Sequence, residues 1–127
     1  MKNRWLDRDV AHPGPCLTLC LSKAEYLAAL KDCGVAPVHD WIKTPQADAT
    51  AHYLENSKGQ LTCIVCLGDC SGRTAVEIAG LLIHESVHVW QRYCDYIGEV
   101  EPGMEQEAYG IQSIAQTLLA EYSRRLK

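Results

Sequence analysis

The stretch at residues 74–93 constrains this 127-residue chain more than any other. Ala75, Val76, Ile78, Ala79, Leu81, Leu82, Ile83, Val87, Val89 and Trp90 put apolar groups on nearly every side of a helix. Such a helix is expected at the centre of its domain rather than on its surface. It cannot be a membrane span, because Glu77, His84, Glu85 and His88 interrupt it. The fold must therefore be built around a helix that carries several polar side chains in an apolar setting.

The rest of the chain reads as an α+β domain wrapped on that helix. Residues 1–21 form an irregular arm punctuated by His12-Pro13-Gly14-Pro15. Ser22-Lys23-Ala24-Glu25 has the form of a capping box, with Tyr26, Leu27 and Leu30 as an apolar stripe and Gly34 as the stop. These signals predict a helix over 23–33. Residues 35–50, with Pro37 and Pro45, read as a loop over the core. Two strand-like runs follow at 51–55 and 60–67, joined by the turn Asn56-Ser57-Lys58-Gly59. A last helix is expected over 104–125, with Ala108, Ile111, Ala115, Leu118, Leu119 and Tyr122 on one face.

Length and charge narrow the functional classes. At 127 residues, 47% apolar and 22% charged, the chain fits one soluble domain with a single core. A net charge of −4 without a basic run argues against nucleic acid as a partner. Arg124, Arg125 and Lys127 read as a solvated helix end, where cations are favoured. Residues 1–10 lack the apolar core of a secretory signal, and no membrane segment is visible. With seven cysteines, an odd number, this predicts a reducing, cytoplasmic setting.

The chemistry is concentrated in His84-Glu85-Ser86-Val87-His88. Histidines four apart project from one helix face and can share one ion. Glu85 is adjacent and can reach a water on that ion. Zinc suits this donor set, since imidazoles bind it and an open position lets it acidify water. Glu85 is then the candidate catalytic base, and His84 and His88 are candidate metal ligands. The alternative is a hydrogen-bonded pair of core histidines with Glu85 at the surface.

A third ligand is needed, and the last helix offers Glu105 and Glu107. Were the central helix to run straight on to Ile97, an antiparallel return would leave Glu105 roughly 14 Å from His88. Ligation by Glu105 therefore requires an end or bend near residues 93–95, or an angled crossing. Periodicity alone does not choose between the two glutamates.

HESVH followed by Glu105-Gln106-Glu107-Ala108-Tyr109 resembles the gluzincin arrangement of zinc peptidases. The resemblance implies Glu105 as third zinc ligand, with Glu107 as the fallback. It puts Tyr109 where the family has an aspartate supporting a ligand histidine. The segments 84–91 (HESVHVWQ) and 102–112 (PGMEQEAYGIQ) are similar to small zincin-like proteins of bacteriophages and prophages. Over about residues 60–122, this likeness implies a minimal zincin-like core and a phage or prophage origin, hence a bacterial host cytoplasm. It implies no particular substrate.

The strand at 60–67 fits the place where a zincin pairs with an extended peptide, or else is an ordinary core strand. His39, His52, Tyr53, Tyr93 and Tyr96 are candidates for stabilising an oxyanion. Cys63, Cys66 and Cys70, with Cys16 and Cys20, could suggest a second zinc site. On a continuous strand, however, Cys63 and Cys66 point to opposite faces, which favours buried reduced thiols. The sequence thus predicts a zinc-dependent peptidase acting on a peptide or protein substrate. The alternative is a non-catalytic zinc-binding phage protein acting as a structural or interaction module.

Overall fold

The computed structural model describes residues 3–6, 15–43 and 48–126. It is an α+β protein with strands β1 (Cys16–Cys20), β2 (Ala49–Glu55) and β3 (Leu61–Leu67) and helices α1 (Lys23–Cys33), α2 (Ala75–Ile97) and α3 (Met104–Arg125). The sheet order is β1-β3-β2, with β1 parallel and β2 antiparallel to the central β3.

Local chemistry explains these elements. The Ser22 side chain accepts from the Glu25 amide, and Gly34 closes α1 with φ 74°. In the hairpin, Asn56 Oδ1 accepts from the amides of Lys58 and Gln60, and Gly59 takes φ 76°. Thr74 and Glu77 form a reciprocal capping box at the start of α2.

Alternation along β3 divides the core. Leu61, Cys63, Val65 and Leu67 face α2 and α3, packing with Leu82, Val89, Trp90, Ile114 and Leu118. Ile64 and Cys66 face the other way, toward Tyr26, Ala29 and Leu30 of α1. The sheet is therefore a layer between α1 and the α2–α3 pair, and the separation of Cys63 from Cys66 follows the expected alternation. All seven cysteines are free thiols.

Several expectations need correction. The supposed arm contains a strand: Cys16–Cys20 is β1, which the short CLTLC run between turn residues did not announce. Residues 7–14, with most of the His12-Pro13-Gly14-Pro15 segment, lie outside the described residues, as do 44–47, with Pro45, and Lys127. α2 is not buried all round. One face is in the core, but Val76 is 81% exposed, Ile83 45%, and both motif histidines are exposed. Desolvation thus supplies no argument for a metal at the histidines. Finally, β3 has a strand on each side and cannot accept another chain; β2 is an outer strand, and no described strand pairs with its outer side.

The open side is specific to β2. Beyond β1, the Leu6 amide donates to the Leu17 carbonyl, and Trp5 bridges Thr18. No backbone hydrogen bond from the described residues reaches the outer side of β2. No helix among the described residues is long and apolar enough to cross a membrane.

Candidate metal centre

Helical periodicity sorts the HESVH motif by face. Glu85 and Ser86 turn inward, and the Ser86 hydroxyl donates to the Leu82 carbonyl at 2.7 Å. His84 and His88 stand on an outward stripe with Gln91 and Asp95, which are spaced at three and four residues. That stripe forms one wall of a cleft of about 450 Å³, and Ala49, Ala51 and Tyr53 of β2 form the facing wall. This volume is in the range of small-ligand sites. Alternation aims those three residues at α2, and the small side chains of Ala49 and Ala51 leave the space open.

The histidines meet at their outer nitrogens. Their Nε2 atoms are 3.2 Å apart, with ring centroids 4.8 Å apart and planes at 78°. The other nitrogen of His88, Nδ1, lies 3.0 Å from Gln91 Oε1. A carboxamide oxygen only accepts, so it selects the His88 tautomer with hydrogen on Nδ1 and a lone pair on Nε2. Two nitrogens bound to one tetrahedral zinc at about 2.05 Å would stand roughly 3.3 Å apart. The two-histidine donor set therefore fits zinc in chemistry and spacing, and Gln91 plays the orienting role that ligand histidines commonly need.

Glu85 is buried yet contributes to the cleft wall between the histidines and β2. Beside it is an unsatisfied group. The Tyr53 hydroxyl is buried without a hydrogen-bond partner. Burial pushes its phenol pKa up; nearby Cys63 and Glu85 add to this, and Arg92 opposes it. The Arg92 guanidinium lies 4.5 Å above the Tyr53 ring centre. Among the five candidates for an oxyanion donor, Tyr53 alone lines the cleft with Glu85. His52 is instead engaged with the Trp41 carbonyl at 2.9 Å, and Tyr96 donates to the Gly59 carbonyl.

The carboxylates of α3 are placed differently. α2 continues without interruption to Ile97 and is capped by Gly98 at φ 76°, so it does not stop near residues 93–95. α3 crosses it where Gly110 meets Trp90, whose indole Nε1 donates to Glu107 Oε2 at 3.2 Å. Glu107 is thus tied to Trp90. Glu105 stands exposed in the first turn of α3. In antiparallel register from the Gly110–Trp90 crossing, Glu105 falls level with residue 95, about 10 Å along the axis from His88. Among the described residues, no group of three or more His, Cys, Asp and Glu side chains converges to hold a metal. The structure brings His84, His88 and Glu85 into one cleft and leaves Glu105 and Tyr109 exposed outside its lining.

Sequence reasoning did not single out Lys43 and Arg92, which also line this cleft. A signal for Arg92 was present, because it follows His88 by four residues and His84 by eight, on the same side of α2. Lys43 had none, since its place depends on how the loop before β2 folds back: its amide donates to Thr50 Oγ1.

No protein-family model matches the chain, and no significant match occurs among curated proteins or solved structures.

Proposed function

We propose that this protein is a zinc-dependent peptidase of minimal zincin-like, gluzincin-type design. The observation that carries the reading is the pair of facing Nε2 atoms, 3.2 Å apart, in a cleft shared with Glu85 and an open-sided strand. His84 and His88 would hold the ion. Glu105 is the proposed third ligand on the strength of the resemblance, and it reaches the pair only if the first turn of α3 moves toward His88. Zinc held there would supply a Lewis acid and lower the pKa of a water.

The protein's own groups have definable tasks. β2 offers its outer backbone groups to an extended peptide, which would lie along the cleft as an added strand. Ala49 and Ala51 leave room for its side chains. Glu85 accepts the proton of the attacking water and delivers it to the leaving amine. Gln91 fixes the orientation of His88. Tyr53 provides a hydroxyl without an internal partner, beside the position where charge develops on the scissile carbonyl.

The resemblance also supports a phage or prophage origin and action on a peptide or protein in the host cytoplasm. A second reading, a non-catalytic zinc-binding interaction module, is favoured by the separation of Glu105 from the histidines. The two differ in one substitution. In the peptidase, Glu85→Gln abolishes cleavage of an unstructured protein substrate while zinc stoichiometry is retained, and His88→Ala loses the zinc. Retained zinc with no cleavage by the unsubstituted protein supports the module. Absence of zinc from protein purified without chelators, together with no effect of His88→Ala on metal content, rejects both.

A further inference from the structure

We propose that the end of the cleft formed by Lys43, Tyr53 and Arg92 is a carboxylate-recognition subsite, which makes the protein selective for peptides carrying an anionic group there. The inference rests on the reading of this cleft as a peptide site and names what that site selects.

Two cations converge at this end in a protein of net charge −4. Lys43 and Arg92 line the histidine cleft and also an adjoining hollow of about 350 Å³ that reaches His39 and Tyr26. They therefore stand at the passage between the two spaces, together with Tyr53, which also lines both. The opposite end of the groove differs. There Arg73 is engaged by Asp48 and by Glu77, so its charge is met within the protein. Neither Lys43 nor Arg92 makes an ion pair among the described residues. Asp95 lines the same cleft one turn beyond Arg92 and forms no ion pair with it.

The disposition of Arg92 matters more than its charge. Its guanidinium carbon lies over the Tyr53 ring, 4.5 Å from the ring centre. The ring meets one side of the guanidinium, and no protein acceptor among the described residues takes its N–H donors, which leaves them available to a ligand. A fixed fork of this kind suits bidentate binding of a carboxylate, and a second cation beside it raises the local potential. A ring beneath the guanidinium also favours one placement of the side chain, so less freedom is lost when the anion binds. The carboxylate could be a peptide C-terminus or an Asp or Glu side chain; the chemistry is shared, and the cleft geometry will accept one better.

The test uses the full-length Glu85→Gln protein, so that binding is read without turnover. Six acetylated tetrapeptides serve as probes: tetra-alanine with a free C-terminus, its amide, and four amides with glutamate at each position in turn. Affinities come from NMR titration. We expect at least one carboxylate-bearing peptide to bind tenfold or more tightly than the neutral amide. That preference should disappear in Glu85→Gln/Arg92→Leu and be partly kept with Arg92→Lys, each checked for an unchanged circular dichroism spectrum and melting temperature. If Arg92→Leu fails to fold, Lys43→Gln in the same background provides the comparison and should reduce the preference severalfold. Equal binding of acid and amide overturns the subsite and leaves the peptide cleft standing. No binding of any probe overturns both, and a preference indifferent to both substitutions overturns the assignment to these residues.

Discussion

The crossing of α2 and α3 makes Gly110→Ala a sensitive probe of the architecture around the site. A Cβ built at Gly110 would overlap three carbons of the six-membered ring of Trp90, far closer than van der Waals contact allows. The ring cannot easily withdraw. Trp90 is 6% exposed, packs against Tyr93 with centroids 6.1 Å apart, and holds Glu107 through its indole N–H. Overpacking of a core costs about 1–3 kcal/mol, and three close atoms on a rigid ring argue for the upper end. Alanine returns about 1 kcal/mol through its better helix propensity. The net loss is therefore about 2 kcal/mol, or roughly 6–10 °C in Tm for a chain of this size. Urea unfolding followed by circular dichroism should show a lower midpoint with an unchanged slope. In a Trp90→Leu background the added methyl meets no ring, so the same substitution should be neutral or slightly stabilising there. A Gly110→Ala protein as stable as its parent would refute the close crossing, and with it the register that sets Glu105 away from His88.

Two further predictions concern pH. Burial pushes the Glu25 carboxyl up, but the Arg125 hydrogen bonds and charge, with the Leu21 amide and Ser22 hydroxyl, outweigh it and hold its pKa below the ordinary value. Its stabilisation is thus complete above the ordinary value of 4.5 and is lost as pH falls through the depressed folded value. Arg125→Gln should cost about 2 kcal/mol at pH 7 and much less near pH 2, measured by chemical denaturation; an equal cost at both would refute the pairing. For His52, burial lowers the pKa below 6.5, the Trp41 carbonyl opposes this, and the charges of Lys43 and His39 add to the lowering. The unfolded chain then takes up a proton before the folded one, so stability should fall as pH drops below about 6.5. His52→Gln should flatten that part of the profile, and an unchanged slope would show that another group is responsible.

The legible parts of the sequence were those governed by neighbours. Ser22, Gly34, Asn56 and Gly59 act within a few residues, so α1 and the β2–β3 hairpin could be placed closely. The facing of His84 and His88 is likewise a property of one helix. What was not legible depends on distant partners. Cys16–Cys20 becomes a strand because β3 is there to pair with it. The exposed stripe of α2 was hidden because Val76 and Ile83 are as apolar as the buried positions, and composition cannot say which side meets the core. The place of Glu105 depends on Gly110, a residue that in sequence only marks a weak point in a helix. Its meaning lies in the indole that occupies the space where a side chain would stand.

Among the described residues, the cleft is lined only by ones between Lys43 and Asp95. The β2–β3 hairpin pairs residues 6 to 18 apart, whereas the facing of β2 and α2 joins residues such as Tyr53 and Arg92, 39 apart. The pairing of β1 with β3 spans 46 residues, close to the β2–α2 separation, and the Glu25–Arg125 bridge spans 100, at a higher entropic cost of loop closure. The hairpin wall of the groove can therefore take shape early in folding, and the Glu25–Arg125 bridge ties the ends of the chain together late. Hydrogen-exchange labelling during refolding should protect the β2–β3 hairpin ahead of β1.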